Sequence, residues 1–61
     1  MNFTITEIHD SGGTEREYSL IAPSLNAAIK IARKAAKDQG ADWFEILNPI
    51  SKTIIYTGEI K

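Results

Sequence analysis

One helix is all this sequence supplies, and every other element must be arranged around it. The run from Ser24 to Gln39 reads Ser-Leu-Asn-Ala-Ala-Ile-Lys-Ile-Ala-Arg-Lys-Ala-Ala-Lys-Asp-Gln and closes on Gly40. At about 100° per residue, Leu25, Ala28, Ile29, Ala32, Ala35 and Ala36 fall on one arc. Pro23 has no N–H for a strand ladder and ends whatever precedes it. Ser24 suits the N-cap, where its hydroxyl accepts from free first-turn amides. Gly40 stands where a helix commonly closes on a left-handed residue. With alanines and isoleucines on its inner side, such a helix can lie close to a sheet. Its outer side is sorted by charge. Lys30, Arg33, Lys34 and Lys37, four of the seven basic residues, fall within about 100° of one another.

The flanks read as strands. Asn2 to His9 sets Phe3 and Ile5 on one face; Ile8 is out of phase, which implies a bulge or a strand covered on both faces. Asp10-Ser11-Gly12-Gly13-Thr14 is a turn whose glycines supply positive φ, and Glu15 to Ala22 returns as the second strand of a hairpin. Asp42 to Leu47 is a third strand. Asn48-Pro49-Ile50-Ser51 is a turn with Pro49 preset for its second position. Thr53 to Glu59, rich in β-branched residues, is a fourth strand. The order is ββαββ, and the turns are too short for crossovers. A 16-residue helix is about 24 Å long and a seven-residue strand about 23 Å, so the lengths match. The expectation is an α+β fold, a single domain over residues 1–61 with one helix packed on a four-stranded antiparallel sheet. Its core should hold Phe3, Ile5, Leu20, Leu25, Ile29, Ala32, Phe44, Ile46 and one of Ile54 or Ile55.

Two layers leave the second sheet face bare. Trp43, Glu45 and Leu47 alternate against Phe44 and Ile46, and Ile54 and Tyr56 oppose Ile55. Large apolar groups thus fall on both faces, and an exposed apolar sheet face marks a contact surface. Trp43 and Tyr56 are therefore expected on the outer sheet, as an alternative binding face for a homodimer or another partner.

Size and composition narrow the function. A chain of 61 residues buries only about 60% of its unfolded surface. Without cysteine it has neither disulfide nor thiolate metal site, which fits a reducing compartment. No apolar run approaches the roughly 20 residues of a membrane span. The segment Met1 to Glu7 alternates and lacks the charged start and apolar stretch of a signal peptide. The expected setting is the cytoplasm, with no membrane partner. A net charge of −1 argues against a general nucleic-acid binder, whose domain pI usually exceeds about 9. Outside the helix, Glu7, Asp10, Glu15, Glu17, Asp42, Glu45 and Glu59 face only Arg16, Lys52 and Lys61. The protein is electrically two-sided, although Lys-rich solvated helix faces are common.

Signs of catalysis are missing from the residue pattern. His9 is the only histidine. It neighbours Asp10, but no Cys or Ser stands in a nucleophile motif, so it reads as a surface residue at a turn. No buried carboxylate pair is indicated. Gly12-Gly13 is too short for a phosphate loop and opens a strand, not a helix. No metal-ligand spacing exists. The expectation is a non-enzyme without metal or cofactor. Trp43 and Tyr56 could stack bases as aromatic platforms do, but Asp42 and Glu45 beside Trp43 repel phosphates. The expected partner-binding surface is the helix stripe: Lys30, Arg33, Lys34 and Lys37, with Asn26 at its start and Ile31 at its margin.

Glu15-Arg16-Glu17, followed by Ala22-Pro23-Ser24-Leu25-Asn26-Ala27-Ala28-Ile29-Lys30-Ile31-Ala32-Arg33-Lys34, resembles the ninth type I-F anti-CRISPR family of small phage proteins. The resemblance covers about 20 contiguous residues and the strand–helix–strand order. It implies an inhibitor that binds the backbone subunits of a CRISPR–Cas surveillance complex and blocks pairing of target DNA with the guide RNA. The family's contact cations match Lys30 and Lys34; its next helical cation corresponds to Ile29, and a further polar position to Ala36. The family's longer basic C-terminal strand has no counterpart up to Lys61. Trp43-Phe44-Glu45-Ile46 after a helix is similar, over a shorter stretch, to the dodecin flavin-binding proteins. The alternatives to an inhibitor are thus a homodimeric interaction module and a flavin binder.

Overall fold

Residues 1–10 and 13–60 are described by a computed structural model. Ser11 and Gly12 of the expected first turn, and Lys61, lie outside the described residues. β1 (Asn2–His9) and β2 (Thr14–Ile21) form one hairpin, α1 (Leu25–Asp38) follows, and β3 (Trp43–Leu47) and β4 (Ile54–Glu59) form a second hairpin. All pairings are antiparallel and the sheet order is β2-β1-β3-β4. The ββαββ reading therefore describes the fold, with β1 and β3 inside the sheet and β2 and β4 at its edges.

The helix ends where its flanking residues dictate. The Ser24 hydroxyl accepts from the Ala27 amide at 3.2 Å, which satisfies one of the first-turn donors left free by the helix geometry. At the other end Gly40 takes φ +73°. Its amide donates to the Lys37 carbonyl and the Ala41 amide to the Ala36 carbonyl, the paired bonds of a Schellman closure. In the second hairpin, the Asn48 side-chain oxygen accepts from the amides of Ile50 and Ser51, while Lys52 adopts φ +62°.

Ala28, Ala32 and Ala36 are fully buried against the sheet. With only methyl groups on that row, the helix backbone sits close to the strands. Phe3, Ile5, Phe44 and Ile46 meet it from β1 and β3, and Ala22 and Ala41 close the two ends. Leu20, Leu25 and Ile29 pack at the margin, half-buried. Ile8 lies in an unbroken register between Glu15 and Trp43, so its phase reflects partial cover on the outer face and not a bulge.

One core expectation fails. Ile54 and Ile55 are 52% and 43% exposed, and neither belongs to the core. The β3–β4 register shifts between Ile46 and Leu47, so that Leu47 pairs with Ile54 but Ile46 pairs with Tyr56. A bulge of this kind leaves one residue unpaired and reverses the phase of side chains across it. Tyr56 takes the inward place that an isoleucine was expected to fill.

Candidate functional site

The outward face of α1 carries Lys30, Lys34 and Lys37, all exposed. With Ile29, Arg33 and Asp38 they line an open groove of about 470 Å³. Lys34 approaches Asp38 at 3.6 Å, one helical turn on, with both side chains mostly in solvent. Such a pair contributes little to stability, so the lysines remain available to a partner. Asn26 and Ile31 are exposed on the same helix but do not line this groove. Ile29 and Asp38 do, although the stripe as read from the sequence omitted them; both lie within one helical turn of Lys30 or Lys34, and that spacing was the available signal.

Arg33 is not a solvated member of the stripe. It lies on the flank of the helix that overhangs β4. There its guanidinium donates to the Glu59 carbonyl at 3.0 Å and to the Tyr56 hydroxyl at 3.1 Å. It also lies over the Phe44 ring, 5.4 Å from the centroid, close enough for the attraction between a cation and a ring face. Planar geometry and several donors let arginine make all three contacts at once. Arg33 thus bolts the helix to β3 and β4 and holds the lysine face in place.

Glu7 was not singled out in the sequence, yet it is the most unusual side chain in the sheet. It follows Phe3 and Ile5 on the helix-facing side of β1 and is fully buried. Its partner across the hairpin is Arg16, whose Nε and Nη2 donate to the two carboxylate oxygens at 2.8 and 2.9 Å. The hydrogen bond to Glu7 holds the Arg16 guanidinium above its ordinary pKa. Arg16 also lies over the Tyr18 ring at 5.0 Å. The Tyr18 hydroxyl is buried without a hydrogen-bond partner. Burial, reinforced by the Glu7 charge, pushes this phenol above its ordinary pKa. With both oxygens of Glu7 engaged by one arginine, the pair holds β2 on β1, its carboxylate fully buried and its guanidinium side chain 46% exposed.

The proposed alternative face does not exist as read. Trp43 lies on the outer side of the sheet, between Ile8 and Glu59. Tyr56 lies on the helix side, with its ring centroid 6.0 Å from that of Phe44 and its hydroxyl bonded to Arg33. The unbroken register from Trp43–Glu59 to Ile46–Tyr56 sets the two rings on opposite faces. Trp43 instead lines an open depression of about 520 Å³ with Asp10, Asp42, Thr57 and Glu59. His9 is partly exposed at the end of β1. Among the described residues, no three His, Asp or Glu side chains gather as metal ligands, and no helix is long and apolar enough to cross a membrane. Comparison with protein families, curated proteins and solved structures finds no match to this chain.

Proposed function

We propose that this protein acts by occupancy and not by catalysis, as a phage-encoded inhibitor working in the bacterial cytoplasm. In this reading it seats the lysine face of α1 on the backbone subunits of a type I CRISPR surveillance complex and blocks pairing of target DNA with the guide RNA. The observation that carries the reading is the set of exposed lysines, Lys30, Lys34 and Lys37, on a helix held at both caps and bolted along one flank by Arg33. The resemblance of the run from Glu15 to Lys34 to the ninth type I-F anti-CRISPR family supplies the class of target. A rigid cationic face suits an acidic protein patch beside a nucleic-acid path. Complementary charge steers such encounters, and the steering weakens with salt.

The test is the double substitution Lys30→Glu with Lys34→Glu. Both side chains are exposed, so each change should alter stability by about 0.5 kcal/mol or less. The variant should keep its melting temperature but lose both capture of a purified type I complex and protection of phage in cells carrying that complex. Normal inhibition by this variant, together with loss of inhibition in Trp43→Ala, would move the binding face to the outer sheet. Failure of the parent protein to bind any such complex would sink the reading altogether.

A further inference from the structure

The sheet face turned away from α1 differs in chemistry from the helix face. Register places Glu15 and Glu17 of β2, Glu45 of β3 and Glu59 of β4 on it, and no strand residue of that face is a cation. None of these four carboxylates is ion-paired among the described residues. Trp43 stands among them at the depression described above. Toward the opposite end of the strands the face becomes apolar, with Ile21 78% and Ile54 52% exposed.

We propose that this face is a second docking surface and that its occupant is a basic protein segment. Such a segment would set Lys or Arg side chains against the glutamates and Trp43 and lay apolar side chains toward Ile21 and Ile54. Tryptophan is the ring that best attracts a cation, and more so beside carboxylates that add to the field. The folded chain extends 31 by 21 Å across its two longer axes, so one broad face is of the order of the roughly 800 Å² that a partner contributes to a standard interface. Other occupants fit less well. Nucleic acid would bring phosphates against the glutamates. A second copy placed by a two-fold axis would present the same patch to itself, setting glutamate against glutamate or, with its strands reversed, against the apolar end. The face lies on the opposite layer from Lys30 and Lys34, so both surfaces can be filled at once and the two proposals fail independently.

Trp43 is the only tryptophan, so its emission reports on the face directly. The full-length protein, at physiological salt, is titrated with a synthetic amphipathic peptide of Leu, Lys and Arg. Parallel titrations use the same peptide with Glu in place of each cation and a single-stranded DNA oligonucleotide. The expected result is a saturable change in Trp43 emission with the basic peptide alone. Its affinity should fall by about tenfold or more in Glu17→Lys with Glu59→Lys, both exposed positions, and stay unchanged in Lys30→Glu with Lys34→Glu. A neutralising Glu17→Gln with Glu59→Gln variant is read in the same way should the reversal fail to fold, with a smaller loss. The proposal is overturned by the absence of a saturable change, by equal response to the acidic peptide or DNA, or by unchanged affinity in the glutamate variants. It is equally overturned if sedimentation shows a dimer whose dissociation on dilution shifts Trp43 emission, which assigns the face to a second copy.

Discussion

Gly58 is the position at which the layer beneath the helix can be probed most directly. It pairs with Phe44 across the β3–β4 ladder, and the Phe44 ring fills the space a side chain at 58 would need. A Cβ there would stand 2.5 Å from Phe44 Cε1, 2.6 Å from its Cζ and 3.1 Å from Tyr56 Cε2. The ring has nowhere to go. It is fully buried, with Tyr56 on one side and the Arg33 guanidinium over it. Forcing extra volume into a closed core costs about 1–3 kcal/mol. Against this, alanine in place of glycine stiffens the unfolded chain and returns about 0.4–1 kcal/mol. The net expectation for Gly58→Ala is a loss of about 1–2 kcal/mol. A domain of this size moves about 4–8 °C per kcal/mol, so thermal unfolding followed by far-UV circular dichroism should show a drop of roughly 5–15 °C. In a Phe44→Leu background the same substitution should be milder, with a coupling of at least about 0.5 kcal/mol in the double-mutant cycle. A Gly58→Ala protein that melts at or above the parent would mean that Phe44 is not pinned, and the account of Arg33 as a bolt would fall with it.

Arg33→Ala should destabilise by about 1–2 kcal/mol in urea unfolding, because it leaves the Tyr56 hydroxyl and Glu59 carbonyl without their donor and removes the cation over Phe44; Lys34→Ala, by contrast, should change stability by no more than about 0.5 kcal/mol. Ser24→Ala removes the N-cap acceptor and should cost about 1 kcal/mol in the same assay. Tyr18→Phe should leave stability at pH 7 equal or higher, since the hydroxyl it deletes is buried without a partner; a clear loss at pH 7 would show that the hydroxyl is bonded after all. The raised Tyr18 pKa also predicts an alkaline limb. The folded protein holds this proton to higher pH than the unfolded chain does, so the contribution is complete below the ordinary phenol value of 10.0 and is lost as pH rises through the folded value. Stability should therefore fall above that pH, and fall less steeply in Tyr18→Phe.

Local signals were strong enough to specify most of the architecture. Pro23-Ser24 and Gly40 bracket the helix because a missing donor, a capping hydroxyl and a tolerated positive φ each act within a few residues. The readings that failed depend on how one element meets another, which no signal within a single run encodes. Alternation from Ile54 to Tyr56 predicts one shared face, and no residue in that run announces that Ile46 and Leu47 will pair across a shifted register. Arg33 sits at the border between the apolar arc and the lysine stripe, and only the arrival of β4 beneath it decides that it turns inward. Glu7 was legible but passed over. It continues the Phe3–Ile5 alternation, and a hairpin centred on the first turn brings it opposite Arg16, a juxtaposition that can sustain a buried carboxylate.

Arg33 and the lysines stand on one helix and carry the same charge, yet their environments separate their roles. A lysine face useful for recognition must keep its spacing when a partner arrives, because ordering loose side chains and elements on binding reduces affinity. The caps fix the helix ends, the alanine row brings its backbone onto the sheet, and Arg33 fixes its rotation by gripping Glu59 and Tyr56. Loosening that grip should therefore weaken partner binding without touching a contact residue. Arg33→Ala, assayed at a temperature where it remains folded, should bind the type I complex proposed as its target more weakly than the parent but more strongly than Lys30→Glu with Lys34→Glu. Loss in Arg33→Ala as complete as in the lysine variant would place Arg33 in the interface itself, and the division between a structural arginine and recognition lysines would be wrong.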